Sequence, residues 1–531
     1  MSLVGRLSTA SHPIDGSRLT IPDLFVLATG RGRMTLTPDA RRRMRRSRAL
    51  VERWVDRGEI VYGVTTGFGE FANVRISTDH LEELQENLIL SHAAGAGAPL
   101  PPEIVRAMMV LRVNALAKGY SGIRVETVER MIQMFNRGII PLIPSQGSVG
   151  ASGDLVQLSH LVLPMLGRGL VYQCPRYGAS RWQVLRAADV LRQYKLRPVR
   201  LTAKEGLALI NGTQMMTAFA ALAVHRARAL CKAADVIAAI SVEALRGSDT
   251  AYDARIHRLR PYEGQQRVAR NMRALMKGSA LRESHRHADN RVQDAYSLRC
   301  IPQVHGASRD AVEYVYGKVS IEINSATDNP LIFPAEQIHL EGGNFHGQPM
   351  ALAADFLAIA LSELANISER RVERLVNGSL SGLPRFLTKS GGLNSGLMIA
   401  QYTAASIVSE NKVLCHPASV DSIPTSANQE DHNSMGSISA QKAWKVLQNA
   451  ETVLAIELLC ACQGLDFARV MNGSRPLKAG RGTEAAHALL RKHIPPLERD
   501  RVLYTDIQRA LDLVRSGAVV GEVEQTIGSL A

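Results

Sequence analysis

Long stretches in which apolar residues recur at three- and four-residue spacing constrain this chain more than any other feature. The segments Lys204 to Ile210, Thr213 to Ala234, Ser308 to Ile323, Ala351 to Leu375, Ile399 to Lys412 and Ser439 to Leu465 all keep this period. A period of 3.6 puts apolar side chains on one helix face, and such faces are stable only when buried against one another. The pattern predicts a mainly α fold with a long-helix bundle core. Shorter helical windows precede it at Asp79 to Ala94, Pro102 to Ala117, Val125 to Arg137 and Asp154 to Leu166. A smaller N-terminal region, 1–200, is therefore expected ahead of a helical-bundle region, 201–531, the two folding as one cooperative unit. The polar stretch from Tyr172 to Ser180 suggests short strands. Leu331 to Asn344 reads as a small hairpin, and Thr483 to Leu530 as a final helical part.

Composition narrows the class. With 531 residues, 46% hydrophobic and 21% charged, the chain can bury a large core and is far from a disordered composition. Its most apolar stretch, Met350 to Leu361, carries Asp355 and falls short of the roughly 20 residues that span a bilayer. Met1 to Leu19 lacks the apolar core of a secretory signal, so a cytoplasmic protein is expected. The six cysteines are scattered; only Cys460 and Cys462 are close, and they read as buried thiols on an apolar helix rather than metal ligands. No metal is expected.

A formal net charge of +14 raises nucleic-acid binding as a function class, with Arg41, Arg42, Arg43, Arg45, Arg46 and Arg48 as the densest basic run. Thr37 and Pro38 open that segment as a helix cap and first turn, and Met44, Val51, Trp54 and Val55 supply an apolar face. The arginines then read as a solvated helix face. An aromatic fraction of 5% leaves few platforms for stacking bases, so nucleic acid is not an expected partner.

Chemistry concentrates in Gly147-Ser148-Val149-Gly150-Ala151-Ser152-Gly153-Asp154-Leu155. Gly147, Gly150 and Gly153 permit dihedrals and close backbone approach that other residues resist. If the backbone bends enough, the Gly153 nitrogen can attack the Ala151 carbonyl. Loss of water, and of the Ser152 hydroxyl as a second water, leaves an exocyclic alkene on a five-membered ring, a methylidene-imidazolone electrophile. Small residues on either side of Ser152 keep bulk away from that cyclisation.

This string, continued by Leu158-Ser159-His160, resembles the prosthetic-group loop of the histidine and aromatic amino acid ammonia-lyase/aminomutase family. The resemblance runs in motif order from about Ile60 to Cys462. It implies that Ala151, Ser152 and Gly153 form 4-methylidene-imidazol-5-one (MIO), with no external cofactor. It also implies that Tyr62, in Tyr-Gly-Val-Thr-Thr-Gly-Phe-Gly, is the base for the β-proton, although an unperturbed phenol is mostly protonated at neutral pH. Asn211 matches the family asparagine near the electrophile. Gln293, Tyr296 and Arg299, in Gln-Asp-Ala-Tyr-Ser-Leu-Arg, match an active-site segment whose arginine pairs with the substrate carboxylate, a task suited to a planar guanidinium. Asn324 to Pro330 and Gly342 to Gly347 match further signatures, the second placing Phe345 near the electrophile.

An amino acid substrate follows, and a homotetramer with active sites shared between subunits. His92 and Glu430 resemble histidine-type residues, and an imidazole and a carboxylate together can recognise a substrate imidazole while rejecting phenyl. L-Histidine, deaminated to trans-urocanate, is the expected substrate. Val64-Thr65 looks closer to tyrosine-using members, and Ala295, Ile301 and Asn433 also depart from the histidine pattern. A tyrosine or other aromatic lyase or aminomutase is therefore the alternative, and a non-catalytic scaffold the alternative from another class.

Overall fold

Four helices form the centre of the molecule: Ile301–Glu322, Gln348–Val376, Gln214–Ala244 and Gly436–Ala468, of 22, 29, 31 and 33 residues. The structure, a computed structural model, describes residues 11–30, 32–173, 182–287, 291–471, 473 and 475–531. Gln214–Ala244 and Gly436–Ala468 pack along each other and against Gln348–Val376, and both are buried around nearly their whole circumference. A helix enclosed in this way needs no polar face, which is why Gln214–Ala244 continues past the expected boundary at Ala234 through the apolar run Asp235 to Ala244. The Met398–Leu414 helix lies on the outside of this group.

Gln348–Val376 is long and apolar enough to cross a membrane by length and composition, more so than the Met350 to Leu361 stretch suggested, yet 72% of its most apolar window is buried inside the protein. Thr483 to Leu530 is three helices, Arg481–His493, Leu503–Arg515 and Ala518–Ile527. Pro495 and Pro496 interrupt the first junction, and Gly517, at φ 73°, the second.

Ahead of the bundle, Pro102–Ala117 matches its expected bounds and packs on Gln214–Ala244. One hydrophobic core runs without a break from Ile14 to Leu530. A smaller cluster of Leu50, Val51, Trp54, Val61, Val64, Leu81, Ala203 and Ile332 underlies the Tyr62 loop. The Leu331 to Asn344 hairpin is present as antiparallel Leu331–Phe333 and Ile338–Leu340. Of the strands expected at Tyr172 to Ser180, Leu170–Gln173 forms and pairs with Ile139–Pro141 and Gln183–Arg186, while 174–180 lies outside the described residues.

The basic run sits on the Pro38–Asp56 helix, with the Thr37 side chain accepting from the Ala40 N–H as its cap. Its reading as a solvated face needs correction. Arg42, Arg45 and Arg46 are exposed, but Arg43 donates to the carbonyls of Asp15, Ala117 and Lys118, and nearly buried Arg48 donates to the carbonyls of Gly122 and Ala203. Part of the positive charge therefore fastens the helix to the loops beneath it.

Candidate active site

The Gly147–Asp154 loop is clamped between the N-termini of the two longest helices. On one side Ser437 Oγ donates to the Ser148 carbonyl at 2.6 Å, Ser434 Oγ to the Gly150 carbonyl at 3.1 Å, and Met435 N–H to the Val149 carbonyl at 2.8 Å. On the other, Asp154 N–H donates to the Gly212 carbonyl, and Asp154 Oδ2 accepts from Met215 and Met216 N–H at 2.8 and 3.0 Å. Asp154 thereby caps the 31-residue helix. Complete burial pushes its carboxyl up to about 7 despite those two bonds. Gly153 has φ 76°, and a Cβ there would lie 2.1 Å from the Gly212 carbonyl oxygen, so only glycine fits. Both helix N-termini direct their positive ends at the loop.

Tyr62, His92, Ser152 and Glu430 come together at this loop. Ser152 Oγ donates to Glu430 Oε1 at 3.3 Å, while Glu430 Oε2 accepts from Thr425 Oγ1 at 2.7 Å. His92 ends the Leu81–His92 helix, its Nδ1 3.0 Å from Ser91 Oγ. Burial lowers the His92 pKa and outweighs the opposing pull of Glu430, leaving a neutral imidazole at pH 7. The Tyr62 hydroxyl accepts from Gly69 N–H at 3.3 Å. Burial first, and then the charges of Glu341 and Glu430, raise its pKa above 10. Ala151 is buried and Ser152 is partly exposed.

Asn211 caps Glu205–Ile210, is buried, and donates through Nδ2 to the Asn329 carbonyl at 3.4 Å; its Oδ1 is buried without a hydrogen-bond partner. Phe345 is half-buried in the turn before Gln348–Val376. That turn reaches the same place: the His346 imidazole lies 3.1 Å from the His432 carbonyl, and Gly347 abuts Met216 and Ser434.

Gln293, Tyr296 and Arg299 do not join them. Asp294 Oδ2 accepts from Ser248 N–H, and Arg291 donates to the Leu245 carbonyl, which fixes this segment just beyond the C-terminus of Gln214–Ala244. Asp154 marks the other end of that helix. At 1.5 Å per residue, 31 residues separate the two places by about 46 Å. There, exposed Gln293 and half-buried Arg299 line a cavity of 570 Å³ with Arg282 and His285, and the Arg299 guanidinium stacks over the exposed Tyr296 ring at 4.5 Å. Among the described residues, no group of three potential metal ligands occurs.

Residues 19–492 match the aromatic amino acid lyase family. The chain belongs to this family. The histidine ammonia-lyase of Caldanaerobacter subterraneus subsp. tengcongensis is 54% identical over 506 residues, 95% of this chain and 97% of that one. Among solved structures, the histidine ammonia-lyase from Trypanosoma cruzi aligns with a TM-score of 0.89 at 49% identity, covering 98% of this chain and 96% of its own. A tyrosine aminomutase from Streptomyces globisporus aligns at 0.90 with 37% identity, covering 98% and 100%.

Within this aromatic amino acid lyase, several residues at the site escaped the sequence reading. Asp154 stood in the glycine-rich string without a role, although an acid immediately ahead of a helix is a capping signal. Buried Lys204 pairs with buried Asp328 at 3.0 Å beneath Asn329, a contact spanning 124 positions that no local pattern encodes. Thr425 and Glu341 lay inside or beside quoted motifs and act through Glu430 and Tyr62.

Proposed function

We propose that this chain is an L-histidine ammonia-lyase, releasing trans-urocanate and ammonia by non-oxidative deamination. The observation that carries this reading is the Glu430 carboxylate, hydrogen-bonded to Ser152 and close enough to His92 to act on its charge. A carboxylate beside a neutral imidazole accepts an N–H and answers the second ring nitrogen of a bound histidine; a phenyl ring satisfies neither, leaving both protein groups unpaired.

The Ala151-Ser152-Gly153 triplet fits an autocatalytic MIO group, because Gly153 is held at positive φ against Gly212 and the Asn211 Oδ1 nearby lacks a partner. In forming it, the Gly153 nitrogen bonds to the Ala151 carbonyl carbon, whose oxygen leaves as water with the amide hydrogens of Gly153 and Ser152. The Ser152 hydroxyl then leaves with its α-hydrogen as a second water. Once formed, the group supplies an electrophile that turns a poor leaving amine into a good one. Tyr62 takes the β-proton, and Arg299 holds the substrate carboxylate.

Arg299 reaches the site, in this reading, from another copy in a homotetramer. Supporting this are the roughly 46 Å helix between the two clusters in one chain and an exposed apolar face of Leu352, Phe356, Ile359 and Tyr314. An incoming guanidinium also provides the positive charge that Tyr62 needs to deprotonate against Glu341 and Glu430.

The tyrosine-type alternative rests on the Val64-Thr65 pair, with Ala295, Ile301 and Asn433 as further departures from the histidine pattern. Thr65 is buried, its Oγ1 donating to the Glu59 carbonyl at 2.7 Å and accepting from Val61 N–H at 2.9 Å, so it stitches the loop rather than meeting a substrate. Ile301 is in the core, and Asn433 Nδ2 holds the Ile423 and Thr425 turn that carries Glu430. Incubating purified protein with L-histidine tests the proposal. Urocanate with matching ammonia is expected; β-histidine would show an aminomutase, and turnover of tyrosine alone would overturn the substrate.

A further inference from the structure

Arg112 lies on the Pro102–Ala117 helix with no solvent exposure, and no carboxylate forms an ion pair with it among the described residues. Burial lowers its pKa to about 10, and Asp328 offsets only part of that effect. A buried cation without a paired anion is costly, so its retention points to work that a neutral side chain cannot do. Its Nη1 donates to the Asn211 carbonyl at 2.6 Å and to Gln214 Oε1 at 2.9 Å, and Gln214 Nε2 passes the chain of bonds on to Thr327 Oγ1 at 2.8 Å. Its Nε and Nη2 have no partner.

The bond to Asn211 falls one residue before Gly212. Gly212 sits at φ 148° in a space where a Cβ would meet Gln214 Oε1, the Thr327 carbonyl and Arg112 Nη1 at 2.6 to 2.8 Å. Its carbonyl receives Asp154 N–H and occupies the space that a Cβ on Gly153 would need, and Gly153 and Gly212 pair as an isolated parallel bridge. Arg112 thus fixes which way the Asn211 carbonyl points, which sets the Gly212 carbonyl against Gly153, the residue whose nitrogen must close the ring.

Resting on the electrophile proposed above, we infer that Arg112 is a positioning residue for cyclisation: it locks the Asn211–Gly212 backbone as the anvil against which Ala151-Ser152-Gly153 is bent. Two independent elements, the Pro102–Ala117 helix and the start of Gln214–Ala244, meet at this one guanidinium. The role is in maturation, before any substrate arrives.

The test is the peptide mass across Ala151 to Gly153 in wild type, Arg112→Met and Arg112→Lys, with circular dichroism and thermal melts on each. Wild type should carry the two-water deficit. Arg112→Met should fold but keep the undehydrated triplet, and Arg112→Lys, which retains the charge but lacks the fork, should gain the deficit more slowly than wild type. A wild type without the deficit refutes the electrophile itself. A dehydrated wild type with either folded variant dehydrated to the same extent at the same rate overturns only the role of Arg112. If neither variant folds, Arg112 serves the stability of the bundle and the inference is likewise overturned.

Discussion

Replacing Glu430 with Gln changes one charge and almost no volume, and the structure says what should follow. Thr425 Oγ1 can still donate to the amide oxygen, so the turn that presents residue 430 is retained. What is lost is a charged acceptor for the substrate imidazole. A hydrogen bond to a charged group contributes about 1.5–3 kcal/mol and a neutral one about 0.5–1.5, so the difference is about 1–2 kcal/mol, or roughly 5- to 30-fold in kcat/KM for L-histidine. A second signature accompanies it. Glu430 raises the pKa of Tyr62, so its removal must lower that pKa and move the alkaline rise of activity to lower pH. Steady-state kinetics of Glu430→Gln over a pH series reads both. Histidine kcat/KM within twofold of wild type, or a rise displaced to higher pH, would refute the reasoning.

In wild type, burial and two carboxylates raise the Tyr62 phenol and the proposed incoming guanidinium opposes them, so kcat/KM should rise with pH as the basic form grows, and Arg299→Ala should move that rise to higher pH; a rise unchanged in position in Tyr62→Phe would remove Tyr62 as the base. Thr65→Ala removes two hydrogen bonds from the loop and should cost about 1–3 kcal/mol in unfolding free energy, measured by urea titration, with the preference for histidine over tyrosine unchanged; a switch in preference would contradict the inward position of Thr65. Ser152→Ala and Arg299→Ala should each be nearly inactive alone, yet co-expressed in one cell they should regain part of wild-type turnover, since mixed assemblies contain sites with both residues intact. No recovery in purified mixed oligomers would place both residues in the site of a single chain.

Legibility in the sequence followed the range of the interactions. Pro102–Ala117 was delimited to the residue because a proline at its start and Lys118-Gly119 at its end are local signals. The limits of Gln214–Ala244 were not, since a helix buried on every side loses the polar face that makes period visible. The cluster of Tyr62, His92, Ser152 and Glu430 was legible only through motif resemblance, because its contacts span up to 278 positions. Arg43 and Arg48 looked like surface charge because the carbonyls they serve come from distant loops. Lys204 with Asp328, and Arg112 with Asn211, were hidden for the same reason.

The long bundle helices act as rulers as well as a core. Gln214–Ala244 has the Gly147–Asp154 loop, with its capping acid, at its start and the Gln293 to Arg299 segment at its end. Sliding either toward the other would require breaking a helix that is enclosed along its length, so flexibility within one chain cannot join them. A second ruler agrees: Gly347, at the start of Gln348–Val376, touches the loop region through Met216 and Ser434, whereas Arg371, near its end, donates to the Ser297 carbonyl. Two helices thus hold the two halves of the predicted chemistry apart in the same direction. In the proposed homotetramer, apposed copies would bring the two together, and the enclosed helices that stabilise the bundle would also set the spacing of that shared site.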